Sequence, residues 1–538
     1  MLAVALAAAS ARASSPAEAA PESAATSQPA AMSRFARLRK QLEGLLHSGL
    51  LSKLRVGLTV RDAGTGEEVI SHNAGTPFNP ASNTKIFTTA AALSTLGPDF
   101  RYQTALLAPR GPGPGAEVQA EAGAAPLPLT GEQEVIAGDL FLQGSGDPSL
   151  GPTGLAQLAR ELARRGVRRI QGDVLLDGQF RDLQALQKEA APPTYGAGAL
   201  TLNRDAYTVR VEPSRAGQPA SAWVDSRSPF FVVHNLVRTV RGKKSRILVD
   251  HALRGDRLAV TVRGRIGAQR GRVAVRQHFG FATTWAAAIL RQALADVGIT
   301  VGGSVRIAPP PAGPLRVVAT HLSEPLADIC RVVNKDSNNY VADAVWKTLG
   351  AERFGLPGTL EKGARAVDEW LQPLGLSPAR VHLVNGSGLT YENRIRPEDL
   401  GQLLYKLYHS LDLGPVFMQT LAVGGVDGTI HSRFRGALSG LVRGKTGTLN
   451  GVSVLSGYVG AQPGVLIFTI FIEGFRPRRL PAIRQAQTDL VEEMVRCLRD
   501  GSSPGPAASP ADKSPDLGPG GEDAQPESEP EGGELGAG

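Results

Sequence analysis

The alternation of apolar and polar positions divides the chain into an αβ stretch, a mainly β middle and a second αβ stretch. Leu38, Leu42 and Leu45 keep a helical spacing and predict a helix over residues 35–46. Residues 56–60 and 68–71 read as strands on either side of a Gly64-Thr65-Gly66 turn. Pro80-Ala81-Ser82 then opens an apolar helix carried by Ile86, Phe87, Ala90, Leu93 and Leu96, and Gly97-Pro98 stops it. From Arg101 to Gln277 the pattern is one of short β segments, such as 207–211 and 258–262, separated by Gly and Pro. Helical periodicity returns over 283–297, closed by Gly298, and an αβ pattern runs on to about Leu498. The apolar run from Val465 to Ile472, broken only by Thr469, is far too short to span a bilayer and predicts a buried strand. The simplest account is one α/β domain, 32–100 and 277–500, interrupted by a large, mostly β insertion at 101–276.

Composition adds the ends. At 538 residues the chain is too long for one ordinary core. Residues 1–31 read as a signal-peptide remnant and a flexible lead-in. Leu2–Ala9 is a short apolar run, Ala11-Arg12-Ala13 has the small residues of a cleavage site, and 14–31 is rich in Ala, Ser, Pro and Glu. Residues 501–538 contain no aromatic residue and are dominated by Gly, Pro, Ser and acids, so a disordered acidic tail is expected.

Charge is spread unevenly. The tail holds eight acidic residues and one lysine, so the rest of the chain carries +15 of a net +8. A basic body is drawn to anionic polymers or membrane surfaces as readily as to nucleic acid. No zinc knuckle, recognition motif or aromatic–basic pattern accompanies it, so a nucleic-acid partner is not expected. Twelve of the basic residues fall between Arg238 and Arg276, against Asp250 and Asp256. The plain reading is a solvated face of the inserted β part; contact with anionic wall or membrane polymers is the sharper one. Only Cys330 and Cys497 occur, which excludes a disulfide-dense scaffold and a multi-cysteine metal site. Two buried thiols are the plain expectation, with a single disulfide as the alternative.

Three short segments carry chemistry. Ser82-Asn83-Thr84-Lys85 sits at the start of the first strong apolar helix, where residues three apart share a face, so the Lys85 amine reaches the Ser82 hydroxyl. A desolvated lysine with a lowered pKa serves as the base that makes a serine nucleophilic. Alone, this reads better as a serine capping a helix. Ser337-Asn338-Asn339 lies just ahead of a helix marked by Val341, Ala342, Val345 and Leu349. Lys445-Thr446-Gly447 precedes alternating Val452 and Val454 and a strand at 456–459. Together, in this order and context, they form the S-x-x-K, S-x-N and K-T-G set of penicillin-interacting enzymes, with Asn338 where S-D-N has Asp. The nine histidines show no ligand or triad spacing, so a Ser-His-Asp site is unsupported.

On these motifs the chain resembles the class C low-molecular-mass penicillin-binding proteins, the D-alanyl-D-alanine carboxypeptidase/endopeptidase family of penicillin-binding protein 4 type. Asp139 through Gly146-Asp147-Pro148, Asn385-Gly386-Ser387-Gly388-Leu389 and Gly425-Val426-Asp427-Gly428-Thr429 match as well, and the likeness covers residues 34–499. The 255 positions between Ser82 and Ser337 leave room for the family's insertion, which a compact β-lactamase lacks. The resemblance implies a β-lactamase/transpeptidase-like α/β domain carrying two inserted domains. It implies Ser82 as the acylated nucleophile, Lys85 as its base and Ser337 as a proton relay, with Asn339 on the peptide amide and Lys445 supplying positive charge. Thr446 would hold the terminal carboxylate, within the Thr446-Gly447-Thr448 substrate strand, and the N–H groups of Ser82 and Thr448 would form the oxyanion hole. Asp147 would bind the amino end of a diaminopimelate side chain. The implied partners are peptidoglycan peptides and β-lactams, with no cofactor or metal, in an exported, periplasmic or extracytoplasmic protein. The family commonly has Ser and Arg after Gly388-Leu389, where this chain has Thr390 and Tyr391; Arg394 or Arg396 would have to replace that arginine. A β-lactamase or esterase sharing the Ser82 chemistry, and a non-catalytic wall scaffold, are the competing readings.

Overall fold

The computed structural model describes residues 28–110, 135–177, 200–461 and 464–500. The signal-like segment and the acidic tail lie outside them. Among the described residues no helix is long and apolar enough to cross a membrane.

One antiparallel sheet of six strands organises the first and last thirds of the chain, in the order Ala422–Val423, Val442–Leu449, Val452–Ala461, Gly464–Glu473, Arg55–Asp62, Glu68–His72. The apolar run read from sequence is its fourth strand, and the run is continuous because both faces are covered. Leu466, Phe468, Ile470 and Ile472 face one core while Ile467 and Phe471 face the other. Thr469, the one interruption, is buried with its hydroxyl 2.8 Å from that of Thr59. Helices Gln28–His47 and Leu480–Asp500 cover the first face through Leu38, Leu42, Leu46, Leu490, Met494 and Leu498. Each fully buried leucine contributes about 1.5–3 kcal/mol. The first of these helices begins at Gln28, inside the stretch expected as a flexible lead-in, because Ala30 and Ala31 favour helix. The second face carries helices Thr84–Thr95, Leu326–Lys335, Asn339–Phe354, Leu360–Leu371 and Pro397–Tyr408, packed around Phe87 and Trp346.

The insertion has its own core. A five-stranded sheet runs Val305–Ile307, Val174–Leu176, Leu140–Gln143, Gln103–Pro109, Leu315–Leu322. Three three-stranded sheets follow: Phe231–Val240, Arg257–Gly267 and Ser245–Arg254; Val273–His278, Ala206–Glu212 and Ser221–Val224; and Thr300–Val301, Arg169–Ile170 and Val135–Ile136. Two corrections to the expected organisation follow. Helix Pro152–Arg164, whose Leu155, Leu158 and Leu162 are buried, stands inside the stretch read as β. The return to the first domain also falls near Ser323 rather than at 277. Helix Ala282–Asp296 buries Trp285, Leu290 and Leu294 in the inserted core, and Leu315–Leu322 pairs antiparallel with Gln103–Pro109. Cys330 and Cys497 are both buried, in different cores, and form no disulfide, so that alternative does not hold.

Candidate active site

The three motifs converge on the open edge of the six-stranded sheet. Ser82 sits in a 3-10 turn, Ala81–Asn83, that precedes the helix beginning at Thr84, rather than on the helix itself. The turn is held tightly. Asn79 Oδ1 accepts from the Ala81 amide at 2.7 Å, and the Thr84 hydroxyl donates to the Ala81 carbonyl at 2.9 Å. Asn83, buried below, hydrogen-bonds to Ser456 on the neighbouring strand. Ala81 adopts φ +44°, a conformation that costs a residue with a side chain about 1–3 kcal/mol and is retained where surroundings impose it.

Lys85 is fully buried one helical turn on. Its Nζ donates to Ser82 Oγ at 3.0 Å, Asn339 Oδ1 at 2.7 Å and the Ser387 carbonyl at 2.7 Å. The second motif enters through a strained step, since Ser337 has φ +58°. Asn338 then caps the helix by accepting from the Val341 amide at 2.9 Å, which leaves Asn339 on the first turn facing Lys85.

Lys445 projects from the strand Val442–Leu449 and is also fully buried. It donates to Ser337 Oγ and to the Thr446 carbonyl, both at 2.8 Å. Burial, and then the charge of Lys85, hold its pKa well below the ordinary 10.5. The site is therefore two hydroxyl–amine pairs, Ser82–Lys85 and Ser337–Lys445, with Asn339 beside the first.

The edge of that strand supplies backbone donors. Its neighbour Ala422–Val423 pairs only with Arg443 and Gly444, so the strand beyond Gly444 has an open side. The Gly424 amide donates to the Val442 carbonyl on that side at 2.8 Å. By the two-residue alternation of a strand, the backbone groups of Thr446 and Thr448 point out of the same open edge. Gly447 lets this edge reach the nucleophile turn: a Cβ there would lie 2.8 Å from the Pro80 carbonyl and 3.0 Å from the Ser82 nitrogen. The Thr446 hydroxyl donates to that of Thr429 at 2.8 Å. Thr429 is placed by the turn after Asp427, which is ion-paired to Lys335 and accepts from the Val423 amide at 2.7 Å.

Sequence reading did not single out Asp343 or assign a role to Ser387. Partly buried Asp343 accepts from the Gly386 and Ser387 amides at 3.0 and 2.8 Å, fixing the loop whose carbonyl holds Lys85. Burial pushes its carboxyl up. A lone acid inside the apolar stripe Val341, Ala342, Val345 was the available signal.

Two expected residues lie apart from these bonds. Asp147 is buried, and its Oδ1 accepts from the Ser149 amide and hydroxyl at 2.7 and 2.6 Å; burial pushes its pKa up. Tyr391 is exposed, with its hydroxyl donating to the Asn450 carbonyl at 3.3 Å. Neither nearby arginine takes its place: Arg394 donates to the Tyr391 and Asn393 carbonyls, and Arg396 faces Glu398 at 3.6 Å.

A sheet edge that sets a serine beside a buried lysine, with a second serine–lysine pair at hand, has the groups a serine hydrolase uses. Residues 38–494 match the model of the D-Ala-D-Ala carboxypeptidase 3 (S13) family, and the chain belongs to that family. It is 32% identical over 462 residues to the D-alanyl-D-alanine carboxypeptidase of Actinomadura sp. (strain R39), covering 82% of each chain. It is 25% identical over 463 residues to the D-alanyl-D-alanine carboxypeptidase DacB of Haemophilus influenzae, covering 82% of this chain and 91% of that one. Its fold is that of the crystal structure of penicillin binding protein 4 (dacB) from Haemophilus influenzae: the TM-score is 0.66 at 23% identity, over 84% of this chain and 99% of that one. The fold class and family read from the motifs are thus borne out.

Proposed function

We propose that this protein removes the terminal D-alanine from peptidoglycan peptides ending in D-alanyl-D-alanine, through an acyl-enzyme on Ser82, and that β-lactams acylate the same oxygen. The observation that carries the reading is the 3.0 Å bond between Lys85 Nζ and Ser82 Oγ, with Lys85 fully buried. The Lys85 amine, once deprotonated, takes the Ser82 proton as Oγ attacks the penultimate carbonyl. The amides of Ser82 and Thr448 receive the developing oxyanion, and Asn339 binds the peptide amide. Thr446 and the charge of Lys445 hold the terminal carboxylate, and the proton collected by Lys85 is relayed through the Ser337 hydroxyl to the departing amine of D-alanine. Water then attacks the ester, with Lys85 again accepting the proton, and Ser82 is regenerated. Such a substrate places the protein outside the cytoplasm.

The direct test is incubation with muropeptides and identification of products by mass. Loss of one D-alanine per pentapeptide is expected, and splitting of cross-linked dimers would add endopeptidase activity. Rapid turnover of penicillin with intact muropeptides would overturn the reading in favour of a β-lactamase.

The lowered pKa of Lys445 sets a pH dependence. A lysine shifted down keeps its charge only below its lowered value, so acylation should fall as pH rises through a point well below 10.5. Lys445→Arg keeps its charge at any accessible pH and should move that alkaline limb upward, at a lower maximal rate. An unmoved limb would assign it to another group.

Side-chain specificity follows from Tyr391. A phenol hydroxyl is a weaker anion partner than a guanidinium fork. Tyr391→Arg should raise kcat/KM for a peptide with a free diaminopimelyl carboxylate about tenfold more than for its amidated form. Equal effects on both would leave Tyr391 without this role.

A further inference from the structure

The inserted sheet of Phe231–Val240, Arg257–Gly267 and Ser245–Arg254 has one face packed on the core and one turned outward. Val237, Thr239 and Ile266 are buried on the inner side, with Ile247 packed beside them. On the outer side, register aligns Arg238 with Arg265 and Arg265 with Arg246, so three exposed arginines stand directly across three adjacent strands. The next outward row is Leu236, Arg263 and Leu248, and the one after it His234, Thr261 and Asp250.

Like charges directly opposite on neighbouring strands are destabilising. A merely solvated face mixes signs across its strands, as Arg263 and Asp250 do in their 2.6 Å ion pair. The arginine row has no such relief: among the described residues no ion pair involves Arg238, Arg246 or Arg265. Lys243, Lys244 and Arg270 extend the same end, because the loop carrying Arg270 is bonded to the 241–244 connection through Gln269 and Gly242. The face therefore presents a block of positive charge with a single acid, Asp250, two rows away.

Beside that block stand two exposed leucines, Leu236 at 64% and Leu248 at 45%. A soluble polyanion has no use for them. The surface of a bilayer uses both: anionic headgroups pair with guanidinium groups, and apolar side chains enter the boundary beneath the headgroups. We infer that this outer face docks on a lipid surface carrying anionic headgroups, independently of the reading of the Ser82 site.

The full chain should co-sediment with vesicles of phosphatidylglycerol and phosphatidylcholine in equal parts, and not with phosphatidylcholine alone. Arg238→Gln/Arg246→Gln/Arg265→Gln should weaken that binding on the order of a hundredfold. Leu236→Ser/Leu248→Ser should weaken it about tenfold with every charge intact. Labelling by a fluorescent penicillin should be unchanged in both, and the melting temperature of the arginine variant should not fall, since like charges are removed. Should the arginine variant fold poorly, Lys243→Glu/Lys244→Glu in the exposed turn must still weaken vesicle binding. No vesicle binding, or binding untouched by these changes, overturns the inference. Capture of soluble poly(glycerol phosphate) that ignores the leucine changes assigns the face to a polymer instead. Vesicle binding seen only after removal of residues 501–538 assigns it to the chain's own acidic tail.

Discussion

Ser82→Ala should abolish the covalent penicillin adduct and lower carboxypeptidase turnover by about 10⁶, as loss of the nucleophile does in serine hydrolases that act as a unit. The fold should survive. Ser82 is half-buried and lies in a short turn, and Lys85 keeps its bonds to Asn339 and Ser387 when the hydroxyl is gone. Intact mass after incubation with penicillin, beside a melting curve, checks both halves. An adduct of wild-type amount on the alanine variant would place the nucleophile elsewhere.

The second large effect is expected away from the reacting atoms. Gly388 has φ +77°, and a Cβ built on it would lie 1.9 Å from the Ala81 carbonyl oxygen and 2.5 Å from its carbon. Both obstacles are backbone, so no rotamer change relieves them. Gly388→Ala must push back the turn that carries Ser82, or the loop whose Ser387 carbonyl holds Lys85. A displacement of about 1 Å is enough to lower acylation on the order of 10²-fold. The overlap and left-handed backbone together should cost about 2–4 kcal/mol of stability. Stopped-flow acylation and thermal melting measure the two effects. A variant acylating at the wild-type rate would show that this close approach does not position the site.

Local features of this design were readable without coordinates. The three motifs name Ser82, Lys85, Ser337, Asn339 and Lys445, and the structure gathers the five into two hydrogen-bonded groups, Ser82–Lys85–Asn339 and Ser337–Lys445. Residues 465–472 announced a buried strand because apolar side chains at every position but Thr469 leave neither face for solvent. Relations across long sequence separations were not readable. Nothing local in Leu315–Leu322 says that it pairs with Gln103–Pro109, so the second boundary was set too early. The leucines of Pro152–Arg164 do keep helical spacing, but the surrounding Gly and Pro masked them. Asp343 was passed over because its work depends on a loop more than forty positions away, at Gly386 and Ser387.

The two ends of the insertion bear on how the chain assembles. Tyr102 and Ser323 are 221 positions apart, yet the amide of Tyr102 donates to the Ser323 hydroxyl at 2.9 Å and the Ser323 amide donates to the Tyr102 carbonyl at 2.9 Å. Holding such ends together in a flexible chain costs about 5 kcal/mol of loop entropy. Here the inserted core, with Gln103–Pro109 and Leu315–Leu322 as neighbours in its sheet, meets that cost within itself. To the surrounding domain, a folded insertion is then no longer than a tight turn. An insertion that folds first shortens the search by which Arg55–Asp62 finds Gly464–Glu473, and a lesion in the inserted core should then surface first as slow maturation of a distant, chemically intact site.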